Sequence, residues 1–211
     1  MNEYEAVLHE LAFIGREFAH DRLYMDVGSN LGQGYAYFSH FLKPVYYDSV
    51  LIEPNPHCLQ TLRRKYGQHS NMEIIEAAAW KEDGELSLYG LVEDERGTTS
   101  QGASVVSDHN SSLYETNKNQ ALCVPAISLS RLIFEKAQCY DHIILKLDIE
   151  SSEYEVLPEL LQSGALSHVY HLFIEFHSQY FKEPQKSQYL SKEREMIEQL
   201  NAARIDFTLW R

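Results

Sequence analysis

The chain has 211 residues, 44% of them hydrophobic and 23% charged, which suits one well-buried core and is short for two full domains. Its formal net charge is −13, and no segment gathers the Lys/Arg stripe that a phosphate backbone needs, so no nucleic-acid partner is expected. No run approaches the roughly 20 apolar residues of a membrane-crossing helix, so no membrane span is expected.

Residues 1–20 carry charges throughout and read as an amphipathic N-terminal helix rather than a secretory leader. The cysteines Cys58, Cys123 and Cys139 lack metal-site spacing and are expected to be reduced thiols of a cytoplasmic protein. Leu23 to Val27 is a short apolar run that ends in Gly28-Ser29-Asn30-Leu31-Gly32, and a periodic aromatic stretch follows from Tyr35 to Leu42: strand, turn, helix. Tyr47 to Glu53 and His57 to Tyr66 repeat that unit. Met72 to Trp80 reads as a third strand and Glu85 to Leu91 as a fourth extended piece beyond the Asp83-Gly84 turn.

Residues 93–120 are polar and read as a long loop, expected to border the active site. Leu122 to Ala126 is a short strand, and Ser128 or Ser130 caps the helix that carries Leu132 and Ile133. His142 to Asp148 is apolar enough to be a central strand buried on both faces. A helix over Glu153 to Leu161, a strand over Val169 to Phe176, a helix over Ser191 to Ala203 and a strand over Ile205 to Trp210 complete the chain. This alternation predicts a doubly wound α/β domain spanning residues 1–211, with a mostly parallel sheet and a ligand crevice at the strands' carboxyl ends.

The glycine turn does not fit a dinucleotide site. Counting G-x-G-x-x-G from Gly28 meets Asn30 and Leu31, and counting from Gly32 meets Tyr37 where the third glycine belongs. The pattern Asp26-x-Gly28-x-Asn30-x-Gly32, with Ser29 inside it, instead lets backbone approach a ligand bearing an ammonium group, as S-adenosylmethionine does. Glu53 ends the second strand, where a carboxylate either accepts both hydroxyls of an adenosine ribose or merely caps the strand before Pro54. Glu76 and Ala77 end the third and are placed beside an adenine edge, with a solvent-facing Glu76 as the alternative.

These stretches resemble the FkbM-type S-adenosylmethionine-dependent methyltransferases. The matching segments are Asp26 to Gly32, Ile52-Glu53-Pro54-Asn55-Pro56, Ala77-Ala78-Ala79, Leu145-Lys146-Leu147-Asp148-Ile149-Glu150 with Glu153, and Ile174-Glu175-Phe176-His177. The resemblance implies a Rossmann-like class I methyltransferase fold and methyl transfer to a hydroxyl of a sugar, glycoconjugate or hydroxylated secondary metabolite. The family usually has Gly-Ala after the second acid of its Lys-x-Asp-x-Glu segment, whereas this chain has Ser151-Ser152.

Asp148, Glu150, Glu153, Glu175 and His177 are then expected to converge above the carboxyl ends of two adjacent central strands, beside the cofactor's sulfonium, with Asp148, Glu175 and His177 as catalytic residues and Asp148 also touching the cofactor. His177 is read as the general base for the acceptor hydroxyl or as a loop histidine bonded to backbone. A third reading makes Asp148, Glu175 and His177 ligands of a divalent cation such as Mg²⁺ or Mn²⁺. Lys146, on a buried strand, is expected to pair with a neighbouring acid. Two other functions are weighed, a cofactor-binding module without turnover and an NAD-dependent oxidoreductase.

Overall fold

The computed structural model describes residues 3–17, 21–90, 101–109 and 121–210. The predicted β-α units come first. Helix α1 (Glu3–Glu17) leads into strand β1 (Arg22–Val27), helix α2 (Gln33–Phe41), β2 (Asp48–Ile52), α3 (Pro56–Tyr66) and β3 (Met72–Ile75). Later come β7 (His142–Leu147), α5 (Glu153–Ser163), β8 (Val169–Ile174), α6 (Gln185–Ala202) and β9 (Phe207–Leu209). Their strands form a six-stranded sheet in the order β3-β2-β1-β7-β8-β9, every neighbouring pair parallel. This is the doubly wound, Rossmann-like arrangement, with its winding reversing between β1 and β7, the point where such sheets open a crevice.

The two-residue period of a strand sorts the core between the sheet's faces. In β1, Leu23, Met25 and Val27 join the apolar layer of α5 and α6, while Tyr24 joins the layer of α1, α2 and α3. Phe38 of α2 is fully buried, stacked on Tyr24 at 5.0 Å and edge-on to Phe173 at 4.9 Å. Truncation of such a ring to alanine costs about 3–5 kcal/mol. No helix among the described residues is long and apolar enough to cross a membrane.

Sequence reading and structure part in two places. Met72 to Trp80 is not one strand: β3 ends at Ile75, and Ala78–Trp80 forms β4 in a separate three-stranded sheet ordered β4-β6-β5. In that sheet β6 (Leu122–Ser128) runs parallel to β4 and antiparallel to β5 (Gly84–Leu88). The small buried residues Ala77, Ala78 and Ala79 let the chain leave one sheet and enter the other without a bulky side chain to seat. The last helix begins at Gln185, six residues before the expected Ser191, because its amino-terminal half is mostly exposed and carries little apolar signal. The rest of the expected 93–120 loop lies outside the described residues; within 101–109, Ser104 bridges to Tyr89 through two backbone hydrogen bonds of 2.8 and 3.2 Å. Ser128, one of the two expected caps, accepts from the Arg131 backbone N–H at the start of α4 (Leu129–Lys136).

Candidate functional site

The carboxyl ends of β1, β2, β7 and β8 surround a cavity of about 400 Å³, within the range of small-molecule sites. One wall is built on Gly28. Its φ of +83° and the position of the Asp148 carbonyl, 1.7 Å from where a Cβ would stand, leave room for glycine alone. Strand ends β1 and β7 therefore meet backbone to backbone, with the Asp148 N–H donating to the Val27 carbonyl at 3.1 Å.

Glu53 follows β2 and faces this turn. Its Oε2 accepts from the Asn30 N–H at 2.7 Å and its Oε1 from the Asn55 N–H at 2.8 Å, so the carboxylate joins the two loops. Burial pushes its pKa up to about 7, against the lowering effect of those two N–H groups. A charged Glu53 thus needs more donors than the protein supplies, and oxygen lone pairs remain for them.

Behind the wall lies a buried ion cluster. Asp26 stands opposite Lys146 in the β1–β7 register, and period 2 places Lys146 and Asp148 on one face. The Lys146 ammonium lies 3.3 Å from Asp26 Oδ1 and 2.9 Å from Asp148 Oδ2. Gly34 makes room for it, since a Cβ there would stand 2.9 Å from Lys146 Cε. Burial is the largest influence on Asp148 and raises its pKa, but Lys146 and His177 together hold it below the usual carboxylate range.

Asp148, Glu175 and His177 are brought together, with one ligand-type atom of each within 4.8 Å of the others. His177 is oriented from behind: Glu153, the fully buried first residue of α5, accepts from the His177 backbone N–H at 2.9 Å and meets Nδ1 at 3.1 Å. Nε2 then points to Asp148 Oδ1 and Glu150 Oε2, both at 3.5 Å, and to Glu175 Oε1 at 3.9 Å. Burial disfavours the charged imidazole, but Glu153, Glu150 and Asp148 outweigh it and raise its pKa to about 10. Burial and the Asp148 charge push Glu175 up to about 7.

Of the residues expected to hold the cofactor, Gly28, Ser29, Asn30, Glu53 and Asp148 line the cavity. Asp26 does not: it is fully buried against Lys146. Gly32 packs under the Tyr66 ring, Ala77 is buried at the sheet crossing, and Glu76 pairs with Arg63 on the surface.

Sequence reading did not single out His109. It is fully buried, with Nδ1 2.6 Å from Ser151 Oγ and Nε2 3.1 Å from Glu150 Oε2. Ser104 Oγ donates to the Glu150 carbonyl at 2.5 Å, so residues 101–109 are fastened along the Glu150-Ser151 turn, and residues 101–105 form another wall of the cavity. No local pattern in a polar loop marks such a histidine. The Ser151-Ser152 departure offered the available hint: Ser151 holds φ +76°, a conformation that favours glycine, and its hydroxyl meets His109.

No curated protein matches the chain. Among solved structures, the methyltransferase FkbM from Methylobacillus flagellatus KT is similar over 89% of this chain, with 15% identity and a TM-score of 0.48. The match spans 38% of that longer protein. The methyltransferase FkbM domain model matches residues 26–204, a range that holds Glu53, Asp148, Glu175 and His177. The chain belongs to the FkbM methyltransferase domain family.

Proposed function

We propose that this chain is an S-adenosylmethionine-dependent O-methyltransferase acting on a hydroxyl of a sugar, glycoconjugate or hydroxylated secondary metabolite. The observation that carries the reading is a single cavity with two unlike ends: the Gly28–Asn30 turn with Glu53 at one, and Asp148, Glu175 and His177 at the other. Membership of the methyltransferase family supports the reaction class, and the resemblance to the FkbM type supports oxygen as the acceptor atom.

The residues present fit the cofactor. Glu53 is a buried carboxylate with acceptor capacity facing the cavity, suited to a ribose diol. The Gly28 turn admits close backbone approach, and Asp148 offers a carboxylate to an ammonium or sulfonium centre. When bound, S-adenosylmethionine supplies an electrophilic methyl group on sulfur.

The protein's own part is alignment and proton handling. Lys146 fixes one oxygen of Asp148, leaving Oδ1 directed toward His177. Glu153 fixes His177 through Nδ1 and leaves Nε2 in the cavity. Asp148, Glu175 and His177 orient the acceptor hydroxyl, and the carboxylates of Asp148 and Glu175 take up its proton. Residues 101–105 line the cavity beside the Glu150-Ser151 turn.

The test is methyl transfer from isotopically labelled S-adenosylmethionine into an extract of the source organism, with identification of the labelled product. A labelled methyl ether supports the reading. Binding of S-adenosylhomocysteine without label transfer to any acceptor favours a cofactor-binding module, and binding of NADH in its place favours an oxidoreductase.

A further inference from the structure

The cavity bounded by the Gly28 turn holds about 400 Å³, toward the lower end of the roughly 300–1,000 Å³ of a site for one small ligand, yet methyl transfer brings two ligands together. Further room lies beyond Glu175. At the carboxyl ends of β8 and β9 a second hollow of about 340 Å³ is lined by Gln179 and Glu193, while Glu175 and Trp210 line both it and the cavity. Glu53 and the Gly28 turn follow β2 and β1, so this hollow extends the cavity on the side away from them. We propose that the hollow is an acceptor subsite for a sugar unit without acidic groups, packed on the Trp210 indole and hydrogen-bonded by Glu193 and Gln179.

The walls are held in place from behind. Trp210 follows β9, and its backbone N–H donates to the Ile174 carbonyl at 2.7 Å. Its ring packs against Tyr4, Tyr37 and Phe38, with centroids 5.5, 5.4 and 5.1 Å away, and stays only half-buried. An indole anchored in this way offers a rigid, flat surface to the C–H face of a sugar ring. Glu193, on α6, is fixed by two buried hydroxyls: Oε2 accepts from Ser178 Oγ at 2.5 Å and from the Tyr154 hydroxyl at 3.4 Å. Both bonds fall on one oxygen, which leaves Oε1 to accept sugar hydroxyls in charge-assisted bonds. Gln179 is exposed and adds an amide able to donate and to accept.

Charge selects the ligand. Glu175 and Glu193 both line the hollow, and its described lining contains no Lys, Arg or His. A phosphate, sulfate or carboxylate group would sit unpaired against these acids. A wholly apolar acceptor would cover them without supplying donors. A polyol ring supplies hydroxyl donors and an apolar face together. The inference rests on the methyl-transfer reading for its purpose: because Glu175 borders both spaces, an acceptor seated here presents a neighbouring hydroxyl to the end of the cavity where the proton is taken up.

The experiment uses the full chain carrying Trp80→Phe, which leaves Trp210 as its one tryptophan. In the presence of S-adenosylhomocysteine, neutral disaccharides, the corresponding uronic acids and phenolic alcohols are titrated in, and binding is read as protection of Trp210 fluorescence from acrylamide quenching. Methyl transfer from labelled S-adenosylmethionine to the same panel is measured in parallel. A neutral disaccharide is expected to protect Trp210 and to accept the methyl group, its uronic acid counterpart binding about tenfold more weakly or less. Glu193→Gln should raise the acceptor KM about tenfold, with kcat and S-adenosylhomocysteine affinity little changed, and Gln179→Ala, which alters an exposed side chain and spares the fold, should raise it about fivefold. Unchanged KM in a folded Glu193→Gln and in Gln179→Ala, preferred binding of uronic acids or phenols, or no protection of Trp210 by any neutral saccharide overturns the subsite. If S-adenosylhomocysteine still binds in those cases, the methyl-transfer reading survives; saccharide protection of Trp210 without S-adenosylhomocysteine binding keeps the subsite and removes that reading.

Discussion

The Asn30 backbone N–H and the Glu53 carboxylate meet at 2.7 Å, so the turn after β1 is shaped by the residue that ends β2. The same side chain reaches Asn55 at 2.8 Å, and one buried acid organises both loops on that side of the cavity.

Glu53→Gln keeps the side chain's shape and removes the charge. S-adenosylhomocysteine is expected to raise the melting temperature of the wild-type chain, because a ligand that binds the folded state alone stabilises it by mass action. In the variant the rise should shrink by an amount corresponding to about 1.5–3 kcal/mol of binding, the usual strength of hydrogen bonds to a charged acceptor. Thermal unfolding monitored by fluorescence, with and without ligand, measures it. An equal rise in both proteins removes Glu53 from the ligand's contacts.

Glu53 also sets a pH signature. Its folded pKa is raised to about 7 by burial, so between the ordinary carboxylate value and 7 the folded chain holds a proton that the unfolded chain has lost. Its contribution to stability is therefore fully present below about pH 4.5 and declines as pH rises to 7, by up to about 3 kcal/mol. The difference in unfolding free energy between wild type and Glu53→Gln, followed by urea denaturation from pH 5 to 8, should show this slope. Ligand hydroxyls that donate to the ionised form oppose it, so S-adenosylhomocysteine should bind more tightly at pH 8 than at pH 6. A flat affinity profile contradicts that role.

Lys146→Met should destabilise the chain by about 3–5 kcal/mol, because it leaves Asp26 fully buried without its counter-ion. The double variant Lys146→Met with Asp26→Asn should recover part of the loss, since the buried charge is gone from both sides. Additive losses in the two single variants, read from urea midpoints, contradict the pairing.

His109→Ala removes the contacts to Ser151 and Glu150 that fasten residues 101–109. Amide hydrogen exchange over residues 101–109 should quicken while exchange in β1 and β7 stays slow. Unchanged exchange would assign the anchoring to the Ser104 contacts alone.

His177→Ala should lower methyl transfer by about 10²- to 10⁴-fold while S-adenosylhomocysteine affinity changes little, since the two ends of the cavity are built from different residues. Single-turnover measurements with the acceptor identified by the labelling experiment separate the effects. A comparable loss in cofactor affinity instead places His177 in cofactor binding.

Much of this architecture was legible because local chemistry and global position agree. The apolar runs at β1 and β7 have the continuous burial that a central parallel strand requires, and Glu53 stands where its strand must end. Pairing of Lys146 with an acid followed from the cost of a lone buried ammonium. The distance of Asp26 from the glycine turn is a sequence property, whereas its register opposite Lys146 is not. The crossing at Ala77 was hidden for a related reason: four apolar residues in a row suit either sheet, and only pairing partners far along the chain decide between them. His109 lay beyond local reasoning altogether, since its partners Glu150 and Ser151 are supplied by another part of the fold.

The parallel pairing of Arg22 with His142 has a consequence for how the molecule comes into being. Strand β1 is synthesised early, yet its neighbour on one side is β7, and the acidic end of the cavity must wait for β8 after that. Such distant pairings are slow to form, and a ribosome-bound chain that has not yet emitted residue 177 has no complete cavity to offer. Ligand capture during synthesis would therefore report the arrival of β8, and the half-built sheet, with the flank of β1 uncovered, is the stage at which chaperone protection matters most.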